Sequence, residues 1–169
     1  VVPSGYKLVF AEEFGGSALD RGHWCTRYGW GGGDKPQVAD AQCTWLDAGG
    51  LDFLNDEQQR YVDVNREGRS LHEVSGGTLR LVATRTRAND VDAPYESAMI
   101  RSKQAFRPDA KTSLYLTARM KLPDVRGSWP AFWLIADRKA DGTSVWPPEI
   151  DIMEGALNEV EETSNMVHM

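Results

Sequence analysis

The stretch "WPPEIDIMEG", residues 146–155, sets Glu149, Asp151 and Glu154 among Ile150, Ile152 and Met153. Three like charges in an apolar, strand-forming run need a reason, because burying an unpaired carboxylate is costly. In a regular strand side chains alternate, so Glu149, Asp151 and Met153 would share one face and Ile150, Ile152 and Glu154 the other. That arrangement sends Glu154 into the core. One extra residue near Ile152 and Met153, a β-bulge, resets the alternation and brings Glu154 round to the face of Glu149 and Asp151. The spacing therefore predicts a bulged strand with its three acids turned toward one cleft.

Such a row suits acid–base and nucleophilic work on a glycosidic bond. A pair about 5–5.5 Å apart serves hydrolysis with retention, and a pair about 6.5–9.5 Å apart leaves room for the water of inversion. A third acid in the crowd helps keep one carboxyl protonated while another is ionised, and Asp151 is placed to fix the rotamer of Glu149. Two other readings of the same residues stay open: a solvent-exposed acidic strand, and a site for a divalent cation.

Outward from this run, alternation with a period of two recurs and helical periodicity hardly appears. The segments "YKLVFAEEF", "TLRLVATR", "SLYLTARMKL", "AFWLIA" and "EIDIME" read as strands. Between them "GGGDKP", "EVSGG", "RPDAK", "LPDVRGSWP" and "DRKADGTSVWPP" carry turn and loop residues. "SALDRGHW" reads as a short helical turn and "LNDEQQRYV" as a turn followed by a strand. Many short strands predict an all-β sandwich or barrel in one domain, with no repeat and no linker.

The 169 residues hold 41% hydrophobic and 26% charged side chains, which is globular rather than disordered composition. Six Trp are more than a core of this size asks for and point to a binding surface. The net charge of −6, with basic residues scattered along the chain, argues against nucleic acid or an anionic membrane as partner. No window is long and apolar enough to span a bilayer, and the start "VVPSGYKLVF" lacks the features of a signal peptide. Three His and two Cys offer no spacing of a zinc site. A disulfide between Cys25 and Cys43 would restrain a Gly-rich loop and suit an oxidising compartment; two free buried thiols are the alternative.

The segment "RGSWPAFWLIADRKADGTSVWPPEIDIMEG" strongly resembles glycoside hydrolase family 16, through its Glu-x-Asp-x-x-Glu motif preceded by "GSWPAFWL". "AEEFGGSALDRGHW", "LNDEQQRYV" and "SAMIRSKQAF" look like further family segments in the same order. The resemblance implies a concanavalin-like β-jelly-roll of two antiparallel sheets. It also implies that 1–169 is the N-terminal two thirds of one such domain, lacking its C-terminal strands. The implied activity is that of an endo-acting retaining β-glycanase on an extracellular β-1,3- or β-1,3-1,4-glucan. Other polysaccharides, transglycosylation and a non-catalytic carbohydrate-recognition module are the alternatives. By that resemblance Glu149 is the nucleophile, Glu154 the acid and then base, and Asp151 the assisting acid.

Trp129 and Trp133, four apart, fall on one face of a regular strand and are expected to stack on sugar rings; their alternative is a place in the core. Trp146 at the cleft rim, His168 on the following strand, and Asn55 with Glu57 at the far end of the cleft are the remaining substrate-binding candidates. Each is equally readable as a structural or solvated residue. Catalysis requires no cofactor, and a structural calcium remote from the cleft would find a ligand in Glu13. The expected protein is secreted or extracytoplasmic and monomeric, and its partner is a polysaccharide.

Overall fold

The computed structural model describes residues 2–26, 57–86, 94–136 and 147–155, together with the backbone of 163–168. The chain divides into two compact units, Val1–Arg107 and Pro108–Met169. The described residues are all-β, with no helix, as the alternation predicts. Their strands form four small sheets, antiparallel except for one pair.

In the first unit, β1 (Trp24–Cys25) pairs with β7 (Arg101–Ser102), and β6 (Tyr95–Ser97) lies between β2 (Gln59–Tyr61) and β5 (Ala83–Arg85). The β2–β6 pairing is parallel. The hairpin of β3 (His72–Ser75) and β4 (Thr78–Leu81) runs in unbroken register from His72 opposite Leu81 to Ser75 opposite Thr78. Gly76 and Gly77 close it with φ of 57° and 71°. Two successive left-handed residues are what a two-residue turn needs to match the twist of its strands, and only glycine takes them without strain. Part of "EVSGG", expected as a loop, is therefore strand up to Ser75. The Glu73–Arg80 and Val74–Leu79 cross-strand pairs outweigh the turn character of the two glycines.

Burial in this unit follows the pairing. Leu71, Cys25 and Thr26 are fully enclosed, with Tyr61, Val74 and Ala98 beside them. Backbone bonds from Val82 N to Leu71 O (3.0 Å) and from Ala98 N to Val82 O (3.1 Å) tie the hairpin to the β5–β6 pair. Buried Glu96 is met by Arg66, whose backbone N–H donates to Oε2 at 3.2 Å and whose Nε stands 3.5 Å from Oε1. Cys25 is in a disulfide, and the chain's one other cysteine, Cys43, lies outside the described residues. "SALDRGHW" does contain a single turn, with His23 N and Trp24 N both donating to Asp20 O at 3.1 Å.

Among the described residues, two expected strands are not found. "YKLVFAEEF" and "SLYLTARMKL" carry no ladder. Alternation makes a strand only where a neighbour takes up its N–H and C=O groups and covers its apolar face. Among the described residues Leu8 and Val9, each 61% exposed, and Leu114 and Met120, also exposed, lack that cover.

The second unit is built on three antiparallel strands in the order β10 (Thr163–His168), β9 (Glu149–Gly155), β8 (Ala131–Ile135). The carboxylate strand is thus central, with its backbone held on both sides.

Candidate active site

The register of β9 contains the expected bulge. Against β8, Asp151 stands opposite Trp133 and Met153 opposite Phe132, so Ile152 is the extra residue in the register. Against β10, Asp151 stands opposite Met166 and Glu154 opposite Ser164, with two residues of β9 spanning one of β10. Both neighbours therefore count one extra residue in the same place. The alternation resets there, and Glu149, Asp151 and Glu154 share a face with Ile135, Trp133 and Ala131, their partners on β8. Ile150 and Met153, opposite Leu134 and Phe132, take the other face. The apolar residues and the acids are thereby sorted to opposite sides of one strand.

Along that face the acids differ in setting. Asp151, between the two glutamates, is 6% exposed, whereas Glu149 and Glu154 are half-buried. Glu154 is held by Trp129, whose indole Nε1 donates to Oε1 at 2.8 Å. Trp129 precedes β8, after a turn in which Gly127 has φ of 81° and Ser128 N and Oγ donate to Val125 O at 3.1 and 2.7 Å. The carbonyl of the next residue, Pro130, accepts from Gly155 N at 2.9 Å. At the other end of β9 the Pro147–Pro148 bond is cis, and Pro148 O accepts from Ala136 N at 3.2 Å, so the ladder extends one residue before Glu149. His168 stands directly opposite Glu149 on β10.

The second unit thus brings together Glu149, Asp151, Glu154, Trp129 and Trp133, with His168 at a matching register position. Asn55 and Trp146 lie outside the described residues. Glu57 belongs to the first unit, where its Oε2 accepts from Tyr61 Oη and Gln59 Nε2, both at 2.8 Å. Burial pushes the Glu57 carboxyl above its ordinary value, opposed by the Tyr61 bond.

The first unit also holds a group of metal-capable side chains, Glu12, Asp20 and His23, with ligand atoms within 4.8 Å of one another. Glu13 is not among them. These groups already serve one another: His23 Nδ1 lies 3.2 Å from Glu12 Oε2 and 3.3 Å from Asp20 Oδ2, and Glu12 Oε1 accepts from Phe14 N at 2.8 Å. The Phe14 bond leads in holding the Glu12 carboxyl below its usual range, against desolvation. Calcium takes about six to eight oxygen ligands. Two carboxylates and an imidazole that are already engaged do not fit it.

Reading the sequence missed the bond between Trp129 and Glu154. Its only sequence signal is the rule that an indole N–H near a cleft seeks an acceptor, and the partner is 25 residues away.

The chain is similar to curated β-glycanases. It is 34% identical over 127 residues to the endo-1,3-1,4-β-glycanase ExsH of Rhizobium meliloti (strain 1021), covering 69% of this chain and 25% of that protein. It is 31% identical over 135 residues to a β-glucanase of Rhodothermus marinus, covering 78% and 42%. A galactan endo-β-1,3-galactanase of Flammulina velutipes is 34% identical over 105 residues, covering 55% and 40%. The matches thus span a quarter to about two fifths of those proteins. No family model and no solved structure matches the chain.

Proposed function

We propose that this chain is the catalytic part of an endo-acting retaining β-glycanase of glycoside hydrolase family 16, acting outside the cytoplasm on a β-1,3- or β-1,3-1,4-glucan. The observation that carries the reading is the bulge in β9, counted from both neighbouring strands, which gathers three carboxylates on one face beside Trp133. The similarity to an endo-1,3-1,4-β-glycanase and to a β-glucanase supports the substrate class. The disulfide at Cys25 supports an oxidising compartment.

In this mechanism Glu149 attacks the anomeric carbon while Glu154 gives its proton to the departing glycosidic oxygen. Water, deprotonated by Glu154, then displaces Glu149 and restores the starting configuration at that carbon. Asp151, buried between them, orients Glu149. The exposed face of Trp129, 65% open to solvent, stacks on a sugar ring, and Trp133 lines the floor opposite Asp151.

A second reading, hydrolysis of a β-1,3-galactan, is favoured by the similarity to the Flammulina velutipes galactanase. The two are separated by reducing-sugar release from laminarin, barley β-glucan, lichenan and β-1,3-galactan. The expected result is release from a glucan by the wild type, lost by several orders of magnitude in Glu149→Gln and Glu154→Gln. Release from galactan alone would move the substrate, and undiminished release by both variants would overturn the mechanism. Product stereochemistry, followed by proton NMR early in the reaction, tests retention.

A further inference from the structure

We infer that Trp129 is a positioning residue for Glu154 whose indole N–H engages one carboxyl oxygen and leaves the other as the oxygen that carries the catalytic proton. The inference rests on the glycanase reading above and adds a division of labour within a single carboxyl group.

The Nε1···Oε1 distance of 2.8 Å is that of a strong bond from an N–H to a carboxylate. An indole nitrogen is only ever a donor, so Oε1 faces a hydrogen in every protonation state of Glu154. The carbonyl oxygen of a carboxyl group is a better acceptor than its hydroxyl oxygen, so the bond favours a proton on Oε2. The protonated form therefore carries its proton on Oε2, and Oε1 stays the acceptor.

The bond has backing on both sides. Trp129 follows the Val125–Ser128 turn, closed by both the N–H and the hydroxyl of Ser128. It precedes Pro130, whose carbonyl is held by Gly155, the residue after Glu154. The side-chain bond between 129 and 154 thus runs beside a backbone bond between 130 and 155, and the two fix the indole against the end of β9. Trp129 is 65% exposed, so its size is not explained by filling a core.

In the first step the proton on Oε2 passes to the glycosidic oxygen as its bond to the anomeric carbon breaks and the bond to Glu149 forms. In the second step Oε2 takes a proton from water as the water oxygen bonds to that carbon and Glu149 leaves. Throughout, the N–H of Trp129 prevents the carboxyl from rotating its two oxygens.

The test compares Trp129→Phe, which keeps an aromatic face and removes the N–H, with Trp129→Ala, which removes both. Two substrates are used: barley β-glucan, whose leaving group needs a proton, and a 2,4-dinitrophenyl β-glycoside of a β-1,3-linked disaccharide, whose leaving group does not. The expected result for Trp129→Phe is a fall in kcat on the polymer on the order of 10²-fold with KM little changed. Its kcat/KM on the dinitrophenyl substrate falls markedly less than on the polymer, while Trp129→Ala loses about equally on both substrates. Wild-type behaviour of Trp129→Phe on the polymer, or an equal loss on both substrates, would overturn the inference.

The underlying reading fails separately, if the wild type cleaves neither substrate or if Glu149→Gln and Glu154→Gln remain fully active.

Discussion

The β3–β4 hairpin and the β8–β9 pair are both antiparallel, both rich in branched apolar residues, and both contain acids within the strand. The hairpin keeps register over its whole length, and its acid is neutralised locally. Glu73 stands opposite Arg80 and bonds Arg69 Nη2 at 2.7 Å. The β8–β9 pair breaks register once, and there the partner of Glu154 is an indole N–H instead of a cation. An acid answered by a neighbouring arginine serves the fold, whereas acids collected by an irregularity in the ladder remain available for chemistry. The contrast explains how one period-two pattern yields a structural element in one place and a reactive face in another.

The largest effect expected from breaking this contrast follows deletion of Ile150, in the regular part of β9. One residue fewer there turns Glu149 to the side of Leu134. Polymer hydrolysis should fall to the level of Glu149→Gln, measured as reducing-sugar release, although every carboxylate is still present. Deletion of Ile152, the extra residue, makes the β8–β9 pair as regular as the hairpin yet leaves Glu154 on the acid face, and should cost far less; equal losses from the two deletions would mean that the bulge does not set the faces.

A smaller loss is expected on the structural side. Leu71, fully enclosed next to the hairpin, should cost about 2–5 kcal/mol when changed to Ala. Urea melts should record this loss, while kcat at a temperature where the variant is folded stays near wild type. A matching loss in kcat would show that the regular region is coupled to the chemistry.

The smallest effect concerns Glu57, an acid outside β9 whose carboxyl burial pushes upward. Below its unfolded value the group is protonated in both states and carries no penalty. As pH rises through the higher folded value, the folded state resists ionisation and stability is lost. Glu57→Gln cannot ionise and keeps an oxygen to accept from Tyr61, so its stability relative to wild type should improve as pH rises above the unfolded carboxylate value. A pH-independent difference in chemical denaturation would contradict that account.

The sequence made β4, β5, β8 and β9 legible because "TLRLVATR", "AFWLIA" and "EIDIME" alternate over lengths that pairing can use. The bulge was legible for a sharper reason: regular geometry would have buried Glu154, and one extra residue was the least costly repair. "YKLVFAEEF" and "SLYLTARMKL" alternate just as well, yet they carry no ladder among the described residues. Alternation reports which side of a chain is apolar, not whether a neighbour is there to cover it. The parallel pairing of β2 with β6 was likewise hidden, since Gln59–Tyr61 and Tyr95–Ser97 are too short to declare a direction. The bond from Trp129 to Glu154 was out of reach because it depends on where the turn at Gly127 delivers the chain, a matter of three-dimensional path with no local pattern.

The bulge also means that β9 stores information by parity. Two residues separate Asp151 from Glu154, an even count that a regular ladder reads as opposite faces, and the bulge skips one of them so that the count is read as odd. Loss of Ile152 would make the count odd in fact and the bulge unnecessary, much as a silent letter can be dropped without changing the word. Lineages descended from this strand should therefore tolerate shortening at position 152, whereas loss of Ile150 would turn Glu149 away from its partners.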